Sequence, residues 1–403
     1  LLEIYLVVSM ESSYQHLTQT NLRVPKMLTI GLGGAGCKST DVLYREDEVS
    51  PDVLNMHTNA ESLDSSKAQL RLQLGTSLTH GLSAGGDLQI GSLCIQQDEE
   101  AIRDLVEAYD MVILVVGLGG GTGSGGAPPL VKLLRKLDIL TFVFAILPFD
   151  FEGDNRKRQA EATLADLKGH ANAVVCFPNQ RLFELGHKNI SLNQAFHLAD
   201  DYLSKAICSM YELCSSPGLL GLDFSDVQSL AENSHGTCSV AVSVNEGADA
   251  GSQCVEELLS SPMLEHGSLL AKSDAVLIGI IGNENLSLSK IKRIFNEIIT
   301  VAKPEAKIYT GVSIDKDKDG VSLLLFTSED WFGPKELIYE SEKPELDENG
   351  ERIPAGIQDD LIQSDLGLEK NKNMKYASRS STVINGEDLD IPTFIRKNIK
   401  LSN

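Results

Sequence analysis

The stretch Thr29–Thr40, TIGLGGAGCKST, gathers residue types that hold phosphate groups. It follows the apolar run Met27–Ile30 and contains Gly31-x-Gly33-x-x-Gly36, the spacing of a dinucleotide fingerprint. Read instead as Gly31 and Gly36 with Lys38-Ser39 close behind, it is nearly a P-loop. Each reading lacks one part. The fingerprint needs a carboxylate at the end of the next strand to bind a ribose. There NMHTNAES offers His57, Thr58 and Asn59, with Glu61 already beyond it. The P-loop needs its lysine directly after the last glycine, and the intruding Cys37 turns Lys38 about 100° further round a helix. Cys37 itself reads as a small residue opening a helix rather than as a reactive thiol.

The stretch Val116–Pro129, VGLGGGTGSGGAPP, decides between the two. It lies between the apolar run MVILVV and the helical pattern PPLVKLLRKL. Seven glycines from Gly117 to Gly126, among them Gly120, Gly121 and Gly123, leave successive N–H groups free to form an anion-binding nest. The helix that follows adds the positive end of its dipole, and Thr122 and Ser124 add hydroxyls. A third stretch, LTHGLSAGGDLQIG, supplies Ala84, Gly85, Gly86 and Asp87. Three backbone cradles suit a polyphosphate held by amides, with Lys38 as an accessory. Further on, LGLDFSDVQ carries Asp223 and Asp226 at a three-residue spacing. On a helical turn both carboxylates share one face.

The elements that must position these residues form a doubly wound α/β pattern. MLTI, DVLNM, MVILVV, TFVFAIL and AVVCF read as buried strands, separated by the helical stretches AIRDLVEAY, APPLVKLLRKLD and KRQAEATLADLKGH. Such alternation predicts a parallel sheet covered on both faces, with ligands at the carboxyl ends of the strands. The predicted nucleotide-binding domain runs over 26–191. A long amphipathic helix over 192–216 then serves as a spine until Pro217-Gly218 stops it. A smaller α/β domain follows over 217–331, with strands DAVLIGIIG, AKIYTGVSI and VSLLLFTS and the helix SLSKIKRIFNEIITVA. Residues 332–386 are polar and acidic and read as a disordered linker with a reach of roughly 40 Å. Residues 387–403 carry an apolar-then-basic tip, DLDIPTFIRKN, with the character of a short recognition peptide. Residues 1–25 read as a disordered extension, with Met10 or Met27 as the expected translation start.

Composition excludes several classes. The chain has 403 residues, 42% of them hydrophobic and 23% charged, which fits a globular protein with more than one core. A net charge of −22 argues against nucleic acid or anionic lipid as a direct partner. The seven cysteines form no C-x-x-C pair, so neither a disulfide framework nor a zinc site is expected and a reducing cytoplasm is. No apolar run reaches the roughly 18–20 residues of a membrane span. The opening LLEIYLVVSM lacks the basic flank and cleavage site of a secretion signal.

GGGTGSG resembles the signature of the tubulin/FtsZ GTPase family, and the order of motifs resembles its bacterial FtsZ branch from about Met27 to Lys397. The first loop resembles the family's GxGGxG, which implies phosphate contacts from Gly33, Gly34, Ala35, Gly36, Cys37 and Lys38. LTHGLSAGGDLQIG resembles its γ-phosphate loop. LPFDFEGDNR resembles PFxFEGxxR, which implies Glu152 and Arg156 at the ribose, and FPNQRL implies Asn179 at the guanine edge. In SLNQAFHLADDYL the resemblance implies Phe196 stacked on the base and Asp201 accepting from guanine N1–H and N2–H₂, with Asp200 where the family usually has Asn.

The resemblance therefore implies GTP and GDP as ligands, with Mg²⁺ bound through the phosphates. It further implies a head-to-tail homopolymer that forms the cell-division ring, in which Asp223 and Asp226 of one subunit complete the next subunit's site. Such a heterologous contact yields an open filament. DLDIPTFIRKN, Asp388–Lys397 at its core, resembles the family's C-terminal peptide. That implies docking to membrane-anchoring division proteins of FtsA type, in the cytoplasm at the division site beneath the inner membrane. The sequence departs from the family at His57-Thr58-Asn59 for Asn-Thr-Asp, at Gly221 for Asn and at Cys37-Lys38 for Gly-Asn. These departures bear on hydrolysis, so the alternative reading is a GTP-binding structural filament or regulator with little turnover. A third, the NAD-dependent oxidoreductase of the opening fingerprint, lacks its ribose carboxylate.

Overall fold

The computed structural model describes residues 25–43, 51–181, 191–215, 224–232, 237–247, 249–316, 318 and 320–328, together with 383–384 and 387–388. Uninterrupted aliphatic and β-branched runs make the inner strands. They are β1 (Met27–Leu32), β2 (Asp52–His57), β4 (Met111–Gly117), β5 (Leu140–Leu147) and β6 (Ala173–Pro178). A short edge strand, β3 (Leu70–Gln73), pairs with β2; its alternating LRLQ pattern was too brief to be read as a strand. The helices between them are α1 (Gly33–Asp41), α2 (Ala60–Asp64), α3 (Thr76–Thr79), α4 (Leu88–Gln97), α5 (Glu99–Val106), α6 (Gly121–Lys136) and α7 (Asp154–Lys168). The spine is α8 (Leu192–Ser215), followed by α9 (Phe224–Glu232).

The smaller domain contributes β7 (Thr237–Asn245), α10 (Ala250–Ser260), α11 (Ser268–Lys272), β8 (Ala275–Gly282), α12 (Leu288–Val301), β9 (Lys307–Ile314) and β10 (Val321–Ser328). Its strands continue the first sheet. The order is β3-β2-β1-β4-β5-β6-β7-β10-β8-β9, a single ten-stranded sheet, parallel except where β10 runs against β7 and β8. Among the described residues β6 and β7 pair at Val174↔Thr237 and Val175↔Cys238. Strand β7, TCSVAVSVN, escaped the sequence reading because small residues dilute its apolar alternation.

Alternate residues of each strand feed different cores, as the two-residue period of a sheet requires. Leu28, Ile30, Val112, Leu114 and Val116 face α6 with Leu130 and Leu134. Met111, Ile113, Phe142 and Phe144 face the spine, where Leu203, Ile207, Met210 and Leu213 meet Val227 and Leu230 of α9. A third core lies between β7–β10 and α10 and α12. The spine thus packs on strands of both halves, the joining role its amphipathic spacing predicts. All seven cysteines are free thiols.

One boundary differs from the sequence reading. The helix after the second glycine stretch begins at Gly121, not at Pro128, so GTGSGGA forms its opening turns instead of a loop. The expected linker and terminal peptide fall largely outside the described residues. A two-residue antiparallel ladder, Val383–Ile384 with Glu387–Asp388, crosses the boundary predicted between them, on either side of Asn385-Gly386, a dipeptide that favours hairpin turns.

A candidate nucleotide site at the switch point

Strands β1 and β4 are neighbours in the sheet, and the chain order runs outward from them in opposite directions. Ligands bind outside the carboxyl ends of strands at such a reversal. Here β1 runs straight into α1 and β4 leads through Leu118–Gly120 into α6. Neither helix has a side-chain cap on its first-turn amides, because the N-cap residues are Leu32 and Gly120. Two sets of unsatisfied N–H groups therefore open onto one place, a geometry suited to an anion.

The glycines are what let these elements come so close. A Cβ on Gly36 would stand 2.4 Å from the Val115 carbonyl oxygen, and one on Gly117 would stand 2.5 Å from Ala35 Cβ. Gly33 has φ +73°, and a Cβ there would lie 3.0 Å from Gly123 N, so the two glycine turns touch. On its far side α6 crosses α4 with almost no gap: a Cβ on Gly125 would meet Leu88 O at 2.2 Å. The third stretch joins the group through Ala84, 3.0 Å from where Gly121 would carry a Cβ. Gly85 and Gly86 take φ +62° and +82°, with open space beside them. Asp87 caps α4 by accepting from Gln89 N and Ile90 N. All three cradles of the sequence reading are thus assembled together.

Several side chains there have structural tasks. Ser124 Oγ accepts from Gly119 N at 2.6 Å, and the Thr122 and Thr58 hydroxyls share a hydrogen bond of 2.9 Å. Cys37 points into the core, its Sγ towards the Gly31 and Met56 carbonyls, and burial pushes its thiol up to about 12. Its backbone amide alone can reach a phosphate, in keeping with the bland reading of this cysteine. Buried Asn55 accepts from Thr40 Oγ1 at 2.6 Å and donates to Asp41, Ser66 and the Cys37 carbonyl, fixing α1 to β2. Lys38 is exposed.

The opposite end of the site is aromatic and polar. Glu152 accepts from Phe149 N and pairs with Arg156 at 2.6 Å, and Gly119 packs on the Arg156 backbone. Phe149 stacks on Phe151 at 5.1 Å and meets Phe196 edge-on at 5.3 Å. Phe151 is 62% and Phe196 40% exposed, large apolar surface for single side chains. Asn179, just past β6, is 5% exposed, and its Oδ1 is buried without a hydrogen-bond partner among the described residues.

The two aspartates of the spine diverge. Asp200 lies one helical turn after Phe196 and accepts from Ser39 Oγ of α1 at 2.5 Å; its burial raises the carboxyl above the usual carboxylate range, against the opposing influence of Ser39, His197 and Lys38. Asp201 turns outward to pair with Lys205 at 2.8 Å. The sequence reading assigned the base to Asp201; it is Asp200 that faces the same way as the aromatic group, because residues four apart share a helix face. Asp226 lies in the first turn of α9, whose Val227 and Leu230 pack with the spine. Asp223 and Gly221 lie outside the described residues. Ser39, Phe149 and Phe151 stand inside the quoted motifs, yet the sequence alone gave neither them nor His57 a role.

Comparison with known proteins agrees with this geometry. Residues 26–187 match the model of the tubulin/FtsZ family GTPase domain, and residues 236–324 match that of the FtsZ family C-terminal domain. The cell division protein FtsZ of Methanothermobacter thermautotrophicus is 35% identical over 73% of this chain and 77% of its own. The chain belongs to the tubulin/FtsZ family of GTPases. A bacterial FtsZ, from Rickettsia bellii, is 30% identical over 74% of this chain and 64% of its own length. Among solved structures, an empty FtsZ dimer of M. jannaschii superposes with a TM-score of 0.70 at 31% identity, covering 79% of this chain and 92% of that one. Both archaeal and bacterial FtsZ proteins are thus similar to it, where the sequence reading stressed the bacterial branch alone.

Proposed function

We propose that this chain is a GTP-hydrolysing cytoskeletal protein of cell division that polymerises head to tail, each subunit's Asp223 and Asp226 completing the nucleotide site of the next. The observation that carries the guanine assignment is Asn179. A buried acceptor without a partner costs about 1–3 kcal/mol, a cost removed when a ligand supplies a donor. Guanine supplies donors at N1 and N2. In this reading Asp200 accepts from them, Asn179 meets the same edge, and Phe196 and Phe151 offer aromatic surface to the base. Glu152 and Arg156 hold the ribose. The amides of Gly33–Lys38, Ala84–Gly86 and Gly120–Gly123 hold the phosphates.

Among the described residues no group of three or more His, Cys, Asp and Glu side chains converges as a metal site. Mg²⁺ would accordingly be held through the β- and γ-phosphates, whose charge it neutralises. The position of Asp226, on α9 beyond the spine, supports catalysis between subunits: its carboxylate serves a nucleotide other than its own. The terminal peptide, Asp388–Lys397, is the proposed docking segment for membrane-anchoring partners of FtsA type, which would hold the filament at the division site. No helix among the described residues is long and apolar enough to cross a membrane itself.

Mixing two inactive variants tests the arrangement. Asp226→Ala keeps a nucleotide site but lacks the acid; Asp200→Ala keeps the acid but binds guanine poorly. Mixed, they should regain GTP turnover well above the sum of the two alone. No gain in co-assembled samples would place the acids in the same subunit as the nucleotide they act on.

A further inference from the structure

We propose that His57 is a tautomer-locked hydrogen-bond donor to the polyphosphate of the bound nucleotide, a role that rests on the nucleotide-site reading above. His57 ends β2, which lies beside β1, and its ring therefore stands next to the first turn of α1. Only 6% of the residue is exposed. Its Nδ1 accepts from the Asn59 backbone N–H at 3.0 Å, and the Thr58 hydroxyl stands 3.5 Å from the same nitrogen. A ring nitrogen that accepts an N–H carries no hydrogen of its own, so the neutral imidazole bears its proton on Nε2.

That Nε2 faces Gly34: a Cβ built on this glycine would lie 3.4 Å from it. Among the described residues no hydrogen bond reaches Nε2. The same short segment is tied to the second glycine turn by the Thr58–Thr122 hydrogen bond, so the ring is held between the uncapped starts of α1 and α6. A ligand at those amides is an anion, and the Nε2–H lies on its approach. Burial lowers the imidazole's pKa, which keeps the ring neutral near pH 7 and the Asn59 hydrogen bond intact. His57 thus adds a directional contact to the phosphates without adding positive charge, in a site whose other phosphate donors are backbone amides.

The test uses the full chain with ¹⁵N-labelled histidine, following the ring nitrogens by long-range ¹H–¹⁵N spectra at pH 7.5. The resonances that vanish in His57→Gln identify this residue among the eight histidines. GTP and GDP should each shift Nε2–H and slow its exchange, with Nδ1 remaining unprotonated, whereas guanosine should leave them unmoved. In parallel, His57→Asn keeps an acceptor for Asn59 N–H but falls short of Gly34, and should weaken GDP binding about tenfold. His57→Gln extends an N–H₂ to the former Nε2 position and should recover most of that loss. An Nε2 that ignores GTP and GDP while both bind, or that responds equally to guanosine, overturns the proposal; so does a His57→Asn variant that binds GDP as tightly as the parent. A parent protein that binds no guanine nucleotide would instead overturn the nucleotide-site reading as a whole.

Discussion

At the scale of single residues, the site divides into groups that sequence spacing marks and groups that only packing brings in. Phe196, Glu152, Arg156 and Asn179 sit in motifs; the first three gather around Phe149, and Asn179 lies just past β6. One residue of helix rotation separates Asp200, on Ser39, from Asp201, on Lys205, and the proposed base contact goes to Asp200. Asp200→Ala should therefore weaken GDP binding by ten- to a hundredfold, about 1.5–3 kcal/mol for hydrogen bonds to a charged group, while Asp201→Ala changes it little; titration calorimetry of both decides. Because burial raises the Asp200 carboxyl, it protonates before an ordinary aspartate as pH falls, and guanine affinity should decline from that higher pH downward in the parent but not in Asp200→Ala. Cys37, with a thiol pushed up to about 12, remains protonated at pH 8; mass spectrometry after brief iodoacetamide treatment should find it unmodified in the native protein and modified once unfolded.

At the scale of elements, the strands and the spine were legible because continuous apolar runs and three- and four-residue spacing are strong signals. The start of α6 was not. Glycine is a poor helix former, so GTGSGGA reads as loop, yet tertiary contact overrides propensity here. Gly91, Gly121 and Gly125 let α4 and α6 approach until backbone meets backbone, and a Cβ on Gly91 would stand 2.2 Å from Gly121 O. The glycines therefore serve twice, as uncapped amides on one side and as a helix crossing on the other. Gly125→Ala should destabilise the fold by about 1–3 kcal/mol through overpacking, although alanine is the better helix former. Chemical denaturation measures it, and a stabilised variant would contradict the crossing.

At the scale of the whole molecule, the two halves predicted as successive α/β domains share one sheet, joined at the brief β6–β7 seam and braced by α8. Sequence pattern identifies each half but not the pairing of the strands that join them, since that pairing depends on contacts far apart in the chain. In the proposed reading, Asp226 in the first turn of α9 acts on the nucleotide of a neighbouring subunit. With a net charge of −22, association must overcome repulsion, which makes assembly sensitive to protein concentration and to salt. The most direct test measures phosphate release from GTP per subunit across a range of protein concentrations, with pelleting in parallel and Asp226→Ala as the control. The rate per subunit should rise above a critical concentration together with polymer, and Asp226→Ala should lower it at least about a hundredfold while GTP binding survives. A rate per subunit that is constant with concentration, or polymer that forms without turnover, would contradict catalysis completed between subunits.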